Sequence, residues 1–141
     1  MTHPSPSNAA PIRVFLVDDQ TLVRQGIRSL LALAEGIEVV AEASDGRQAV
    51  AQLAPGATDV VLVMSGLESL QAMSRAGILP PTIILTTFDD DALVLAGIKA
   101  GAKGYLLKDV SLEQLVNAIQ MVAAGGSLVQ PAVTQRLLSG L

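Results

Sequence analysis

Polar side chains that can bind a metal ion or a phosphoryl group lie where short apolar runs of the sequence end. Asp18 and Asp19 follow the first of these runs. Thr86 ends the fourth run, and Lys108 follows the fifth. Adjacent carboxylates repel each other unless a cation or a proton relieves them, and Mg²⁺ needs only one or two protein carboxylates because it keeps several waters. Together with a hydroxyl and an ammonium, the acids predict a site that binds a phosphoryl group through a metal.

Each of these residues also has an ordinary structural explanation. An aspartate can cap the helix that follows a strand, threonines are common at strand ends, and a lysine beside a helix start is usually solvated. Arg24, Arg28 and Arg47 are likewise expected on solvated helix faces. The phosphoryl site is favoured because its residues fall at the ends of three different strands, where this kind of fold builds its sites.

The elements that must position these residues alternate between strand and helix. Short runs of β-branched and large apolar residues predict strands, and apolar residues at helical spacing predict the helices between them. The predicted strands are residues 12–17, 37–43, 60–63, 82–86 and 104–107. Short connections in such an alternation force parallel strands. We therefore expect an α/β fold, a five-stranded parallel doubly wound sheet with helices on both faces.

Composition restricts the class of protein further. The 141 residues fit one domain, and the net charge of −4 opposes binding to a phosphate backbone. The absence of cysteine excludes disulfides and thiolate metal sites. No uncharged apolar stretch reaches about 18 residues, and the start of the chain lacks the pattern of a signal peptide. We expect a cytoplasmic protein without a membrane partner.

Four segments carry a more specific signal: VDDQTLVRQG at residues 17–26, EVVAEASDG at 38–46, ILTTFDDD at 84–91 and GAKGYLLKD at 101–109. In order and spacing they resemble the receiver domain of two-component response regulators, in the subfamily whose output is a LuxR-type helix-turn-helix. The resemblance covers about residues 12–126. It implies the flavodoxin-like, CheY-like receiver fold and a function in signal transduction and transcription regulation rather than as an enzyme.

The resemblance also implies roles for individual residues. Asp18 and Asp19 resemble the pair that binds the Mg²⁺ cofactor. Thr86 resembles the switch hydroxyl that follows the phosphoryl group, and Lys108 resembles the lysine that forms an ion pair with it. Thr86 and Lys108 are thus the expected catalytic residues. Tyr105 resembles the aromatic switch residue that turns inward on activation.

Partners and domain boundaries follow from the same resemblance. It implies a sensor histidine kinase as phosphoryl donor and a homodimer formed through a helical face. We expect a disordered tail at residues 1–11, the receiver domain at 12–126, and at 127–141 a linker toward a C-terminal DNA-binding domain that this chain lacks. DNA binding is expected only through that absent domain.

The third strand departs from the family pattern, in which it ends in the aspartate that accepts phosphate. Residues 59–68 read DVVLVMSGLE, and counting without a gap places Met64 at the acceptor position. A better match leaves about six residues, the acceptor among them, absent between Val63 and Met64. A thioether neither attacks phosphorus nor holds Mg²⁺, and Asp59 lies at the other end of the strand. No phosphoacceptor is therefore identifiable.

The missing aspartate leaves several hypotheses open. This sequence can omit a segment that the molecule contains, the chain can be a deletion variant, or it can be a natural degenerate receiver. A degenerate receiver would act as a phosphate-independent dimerisation or interaction module. A small flavodoxin-like or nucleotide-binding enzyme is a weaker hypothesis, because no glycine-rich phosphate loop follows the first strand and aromatic residues are scarce.

Overall fold

The computed structural model describes residues 10–54, 56–77, 79–87 and 90–139. This part of the chain forms six strands: β1 (Ile12–Asp18), β2 (Ile37–Ala43), β3 (Val60–Ser65), β4 (Thr82–Thr86), β5 (Gly104–Leu107) and β6 (Leu128–Val129). The helices are α1 (Thr21–Leu31), α2 (Gly46–Gln52), α3 (Leu67–Arg75), α4 (Asp91–Ala100), α5 (Leu112–Ala123) and α6 (Pro131–Ser139). The strands pair in parallel in the order β2-β1-β3-β4-β5-β6. The predicted α/β fold is confirmed, with one short strand more than the five expected.

The two faces of the sheet bury different side chains of the same strand. In β1, Val14 and Leu16 pack on the face that α1 and α5 cover, while Phe15 and Val17 pack on the face that α2, α3 and α4 cover. This alternation follows from the two-residue period of a strand. Because both faces are covered, the central strands are apolar nearly throughout and only their ends carry polar groups.

The segment after α5 is more ordered than a plain linker. Its residues Leu128 and Val129 form β6, which pairs in parallel with β5. The helix α6 follows directly and begins at Pro131. The domain boundary at residue 126 stays a prediction, and the predicted disordered tail lies outside the described residues except for Ala10 and Pro11.

Asp59 lies at the start of β3, at the opposite end from Asp18, and forms an ion pair with Arg13. Asp59 Oδ1 is 3.0 Å from Arg13 Nη2, and Asp59 Oδ2 accepts from the Arg13 backbone amide at 2.8 Å. Hydrogen bonds from Arg13 lower the pKa of Asp59 below its ordinary value. A depressed folded-state pKa contributes stability above the ordinary pKa, and this contribution is lost as the pH falls through the folded-state value.

Replacing this carboxylate therefore tests a pH-dependent contribution to stability. We expect Asp59→Asn to lower the free energy of unfolding at neutral pH by no more than about 1 kcal/mol, because the pair is partly solvated. The difference from the wild type should shrink as the solution is acidified, since protonation then removes the same charge. Urea unfolding at neutral and acidic pH measures this, and a difference that stays constant with pH would contradict it.

Candidate functional site

The candidate site lies where the order of the strands reverses. The chain passes from β1 outward to β2 and then back across to β3, so β1 and β3 flank the reversal. Crevices outside the carboxyl ends of such strands are where parallel α/β sheets bind ligands. Asp18 ends β1 and stands in register with Ser65, the last residue of β3. The predicted acid pair therefore lies at this crevice, with Asp18 fully buried and Asp19 exposed.

Ser65 contacts both members of the acid pair. Its Oγ lies 2.6 Å from Asp18 Oδ1 and 2.8 Å from Asp19 Oδ1. A hydroxyl carries one hydrogen, so it donates to only one of the two carboxylates at a time. The hydrogen bond from Ser65 is the main reason that the pKa of Asp19 is lowered, and the charge of Lys108 lowers that pKa further. The serine thus helps to keep Asp19 ionised beside Asp18.

The end of β3 determines which side chain stands opposite the first acid. Val63 and Met64 are consecutive residues within a continuous strand, which extends two residues beyond the predicted end at Val63. Met64 is buried in the core with Leu16 and Leu62. A register irregularity between Val17 and Asp18 brings Ser65 rather than Met64 opposite the first acid. In the chain as given, a hydroxyl rather than a thioether therefore stands opposite Asp18, and the position of the phosphoacceptor stays a prediction.

One oxygen of the acid pair lacks a partner. Asp18 Oδ1 accepts from the Gln20 amide at 2.7 Å as well as contacting Ser65, whereas Asp18 Oδ2 is buried without a hydrogen bond. Leaving a buried charged group unsatisfied costs several kcal/mol unless something else relieves it. Across the described ranges no three His, Cys, Asp or Glu side chains gather as a metal site. Two carboxylates and a hydroxyl nevertheless fit a hydrated divalent cation of the magnesium type.

The fourth and fifth strands bring the other predicted residues to the same edge of the sheet. Thr86 is buried at the end of β4, where its Oγ1 donates to the carbonyl of Thr87 at 3.1 Å. The backbone amide of Lys108 donates to the carbonyl of Thr86 at 2.8 Å, which ties the two strand ends together. The charge of Lys108 contributes to the lowered pKa of Asp19.

Tyr105 lies inside the domain. Only 6% of the residue is exposed, and burial raises the pKa of its phenol to about 12. Its ring packs against Gly97 of α4, where an added Cβ would stand 3.1 Å from Tyr105 Cε2. The glycine therefore leaves the space that the ring occupies. The functional roles assigned to Asp18, Asp19, Thr86, Lys108 and Tyr105 stay predictions, although the structure places the first four at one edge of the sheet.

Arg24 is a residue of this region that the sequence analysis missed. It was expected on a solvated helix face, but its side chain is only 13% exposed. Its Nη1 donates to the carbonyl of Asp18 at 2.7 Å, and its Nε donates to Glu42 Oε1 at 3.1 Å. Arg28 also pairs with Glu42 but remains solvated. Arg24 thus fixes the backbone that carries the buried acid, a contact that no local pattern in the sequence indicates.

The fold and this site define an α/β signalling domain that presents an acid pair, a threonine and a lysine at the ends of three parallel strands. Residues 14–120 match the family model of the response regulator receiver domain. The chain belongs to this family, and it is a receiver domain of the NarL/LuxR type. This confirms the resemblance and the fold class inferred from the sequence.

Relatives and solved structures agree with this assignment. The chain is 44% identical over 135 residues to the nitrate/nitrite response regulator protein NarP of Escherichia coli (strain K12), covering 92% of this chain and 63% of NarP. The structure of a LuxR-family two-component response regulator from Aurantimonas sp. SI85-9A1 has a TM-score of 0.76 and 30% identity, covering 93% of this chain and 98% of that one. The response regulator ChrA of a heme-sensing two-component system matches with a TM-score of 0.76 and 38% identity, over 94% of this chain and 67% of that one.

The chain spans less than two thirds of the length of NarP. Statements about a whole regulator are therefore proposals for this protein. Among the helices that the structure describes, none has both the length and the apolar character that crossing a membrane requires.

Proposed function

We propose that this chain is the signal-receiving module of a longer cytoplasmic transcription regulator and that a sensor histidine kinase is its phosphoryl donor. The observation that carries the proposal is the buried, unpartnered Asp18 Oδ2 beside Asp19 and within reach of the Lys108 charge. Two adjacent carboxylates repel each other unless a cation or a proton relieves them. Phosphoryl transfer uses a cation and a lysine in the same way, to neutralise the charge of the transferred group.

Asp18 and Asp19 would hold Mg²⁺ in this pocket, and the bound metal would supply charge neutralisation during phosphoryl transfer. Lys108, at the end of β5, has the position and charge to form an ion pair with the transferred phosphoryl group. The Thr86 hydroxyl, which now donates to Thr87, can turn to donate to a phosphoryl oxygen instead. That rotation would shift the equilibrium of Tyr105 on the neighbouring strand and so alter the helical face that meets other proteins.

The wider role of the module follows from its relatives. NarP is a nitrate/nitrite response regulator, and LnrK of Bacillus subtilis (strain 168) is a transcriptional regulatory protein. By analogy, this module would act in a homodimer and control a DNA-binding domain located elsewhere in a longer chain, without being an enzyme itself. The acidic composition of this chain supports the assignment of DNA binding to another domain, because a net charge of −4 opposes direct contact with DNA.

A second function is favoured by one specific observation. The strand that carries the acceptor aspartate in the family ends here in Ser65, which is hydrogen-bonded to the acids. A receiver without an acceptor carboxylate would act as a phosphate-independent module that docks a partner or a second copy of the chain. It would keep the fold and the switch residues but would not respond to a phosphoryl donor.

Incubation with acetyl phosphate and Mg²⁺ followed by intact-mass measurement separates the two functions. The main proposal requires an acceptor carboxylate in a segment between Val63 and Met64 that this sequence omits. For a chain that contains it, the proposal predicts the gain of one phosphoryl group, which Asp18→Asn should reduce by at least about tenfold because it removes a charge that holds the metal. Lability of the adduct to hydroxylamine would assign it to a carboxylate, and stability would assign it to a hydroxyl. No adduct at millimolar donor, in a chain whose measured mass equals that of the 141 residues, would establish the phosphate-independent module.

A further inference from the structure

The strand that carries Tyr105 is hydrogen-bonded to the segment that follows α5. The backbone amide of Gln130 donates to the carbonyl of Tyr105 at 3.0 Å. In the other direction, the amide of Leu107 donates to the side-chain Oε1 of Gln130 at 2.7 Å. Gln130 therefore binds the edge of β5 through both its backbone amide and its side-chain oxygen, next to Lys108. We call residues 128–139, which comprise β6 and α6, the docked segment.

The docked segment also shares an apolar contact region with Tyr105. Val133 of α6 is only 2% exposed and belongs to the same buried cluster as Tyr105 and the α4 residues Leu93 and Val94. A side chain with this degree of burial is tied to its neighbours by packing, because protein interiors leave little free volume. Outward rotation of the tyrosine would open a cavity in this cluster, which the same neighbours would have to fill.

We propose that Gln130 is a positioning residue that couples the docked segment to Tyr105, so that undocking of the segment and outward movement of the tyrosine are one event. Gln130 satisfies the Leu107 amide and the Tyr105 carbonyl at once, and Val133 is buried in the same apolar cluster as the ring. Removing either contact therefore weakens both the docking of α6 and the burial of the tyrosine. By linkage, whatever moves Tyr105 changes the docking of the segment by the same free energy.

Through the hydrogen bonds of Gln130, a movement of Tyr105 would be transmitted to the docked segment of the same chain, without a separate partner protein. The docked segment follows the last receiver helix, so any chain that continues beyond it is joined to the switch strand through Gln130. That signalling consequence rests on the proposed function, whereas the coupling between Gln130 and Tyr105 is a property of the folded chain and requires neither Mg²⁺ nor a phosphoryl donor.

The chain provides its own probe for a test. Tyr105 is the only tyrosine and there is no tryptophan, so tyrosine fluorescence reports this residue alone. We expect Gln130→Ala to raise the acrylamide quenching constant of the 141-residue chain about twofold or more, and hydrogen exchange of the α6 amides to accelerate in the same variant. Titration of the phenol should also move from about 12 toward its ordinary range as burial is lost.

Two matched variants separate coupling from general loosening. Gln130→Glu keeps an acceptor for the Leu107 amide and should leave quenching and exchange close to the wild type. Leu138→Ala lies in the same helix but at a 69% exposed position, and should change neither. If circular dichroism shows that Gln130→Ala does not fold, the milder Val133→Ala decides, with the same expected direction.

Faster hydrogen exchange of the α6 amides without increased quenching of Tyr105 would overturn the proposal. It would show that the docked segment can detach while Tyr105 stays buried. Wild-type behaviour of Gln130→Ala in both measurements would overturn it as well. These outcomes are distinct from failure of the proposed function: absence of a phosphoryl adduct leaves the coupling intact, and loss of the coupling leaves phosphoryl uptake unaffected.

Discussion

Ser65→Asp should make the stability of the domain depend on Mg²⁺. The substitution removes a hydroxyl that contacts Asp18 and Asp19 and puts a third carboxylate beside a fully buried acid. Loss of a hydrogen bond to a charged group costs about 1.5–3 kcal/mol. Repulsion between charges about 4 Å apart adds between about 1 and 4 kcal/mol, depending on solvation. In the presence of EDTA, we therefore expect the free energy of unfolding to fall by about 2.5–7 kcal/mol.

Divalent cation should reverse this loss. A ligand that binds only the folded state at about 100 times its dissociation constant stabilises that state by about 2.7 kcal/mol, and three carboxylates bind a cation more tightly than two. Urea unfolding with and without Mg²⁺ measures both effects. Ser65→Asn is the matched control, because it has nearly the same shape without the charge and should show little more response to Mg²⁺ than the wild type. Equal responses of the two variants would show that a carboxylate at position 65 does not take part in cation binding.

The sequence was sufficient to predict the positions of those site residues whose placement depends only on the order and direction of the strands. Asp18, Thr86 and Lys108 were predicted at a common edge because parallel strands with short connections bring their carboxyl ends together. The strands β1, β4 and β5 end at or within one residue of those side chains. Likewise the capping box formed by Ser111 and Gln114 has a local pattern, and it is present at the start of α5.

Contacts between distant segments were beyond the reach of these local patterns. Ser65 meets the acids only because β1 has a register irregularity before Asp18, which no spacing in the sequence encodes. Arg24 and Gln130 belong to no recognisable sequence motif. Their side chains form hydrogen bonds with a backbone carbonyl and a backbone amide of other elements. The sequence therefore predicts where a site lies, while the groups that orient it depend on tertiary packing.

Gly97→Ala should destabilise the domain although alanine favours helix over glycine. In α4, a Cβ at this position would stand 2.9 Å from Ile84 Cγ1 and 3.1 Å from Tyr105 Cε2. Overpacking of a core typically costs about 1–3 kcal/mol, which exceeds the gain of about 1 kcal/mol in helix propensity. We expect a net loss of up to about 2 kcal/mol in urea unfolding. Because the ring of Tyr105 is one of the two groups that must move, its fluorescence should become more accessible to acrylamide.

Gly26→Ala in α1 is the control that isolates the packing effect. Beyond the adjacent residues and the backbone of α1 itself, no atom lies within 4 Å of the position where its Cβ would stand, so only the gain in helix propensity remains. This variant should be more stable than the wild type by about 0.5–1 kcal/mol, with unchanged quenching. The opposite signs of the two substitutions carry the argument. If Gly97→Ala also stabilised the chain, α4 would have room to move away from β5, and the space beside Gly97 would not hold Tyr105 in its buried position.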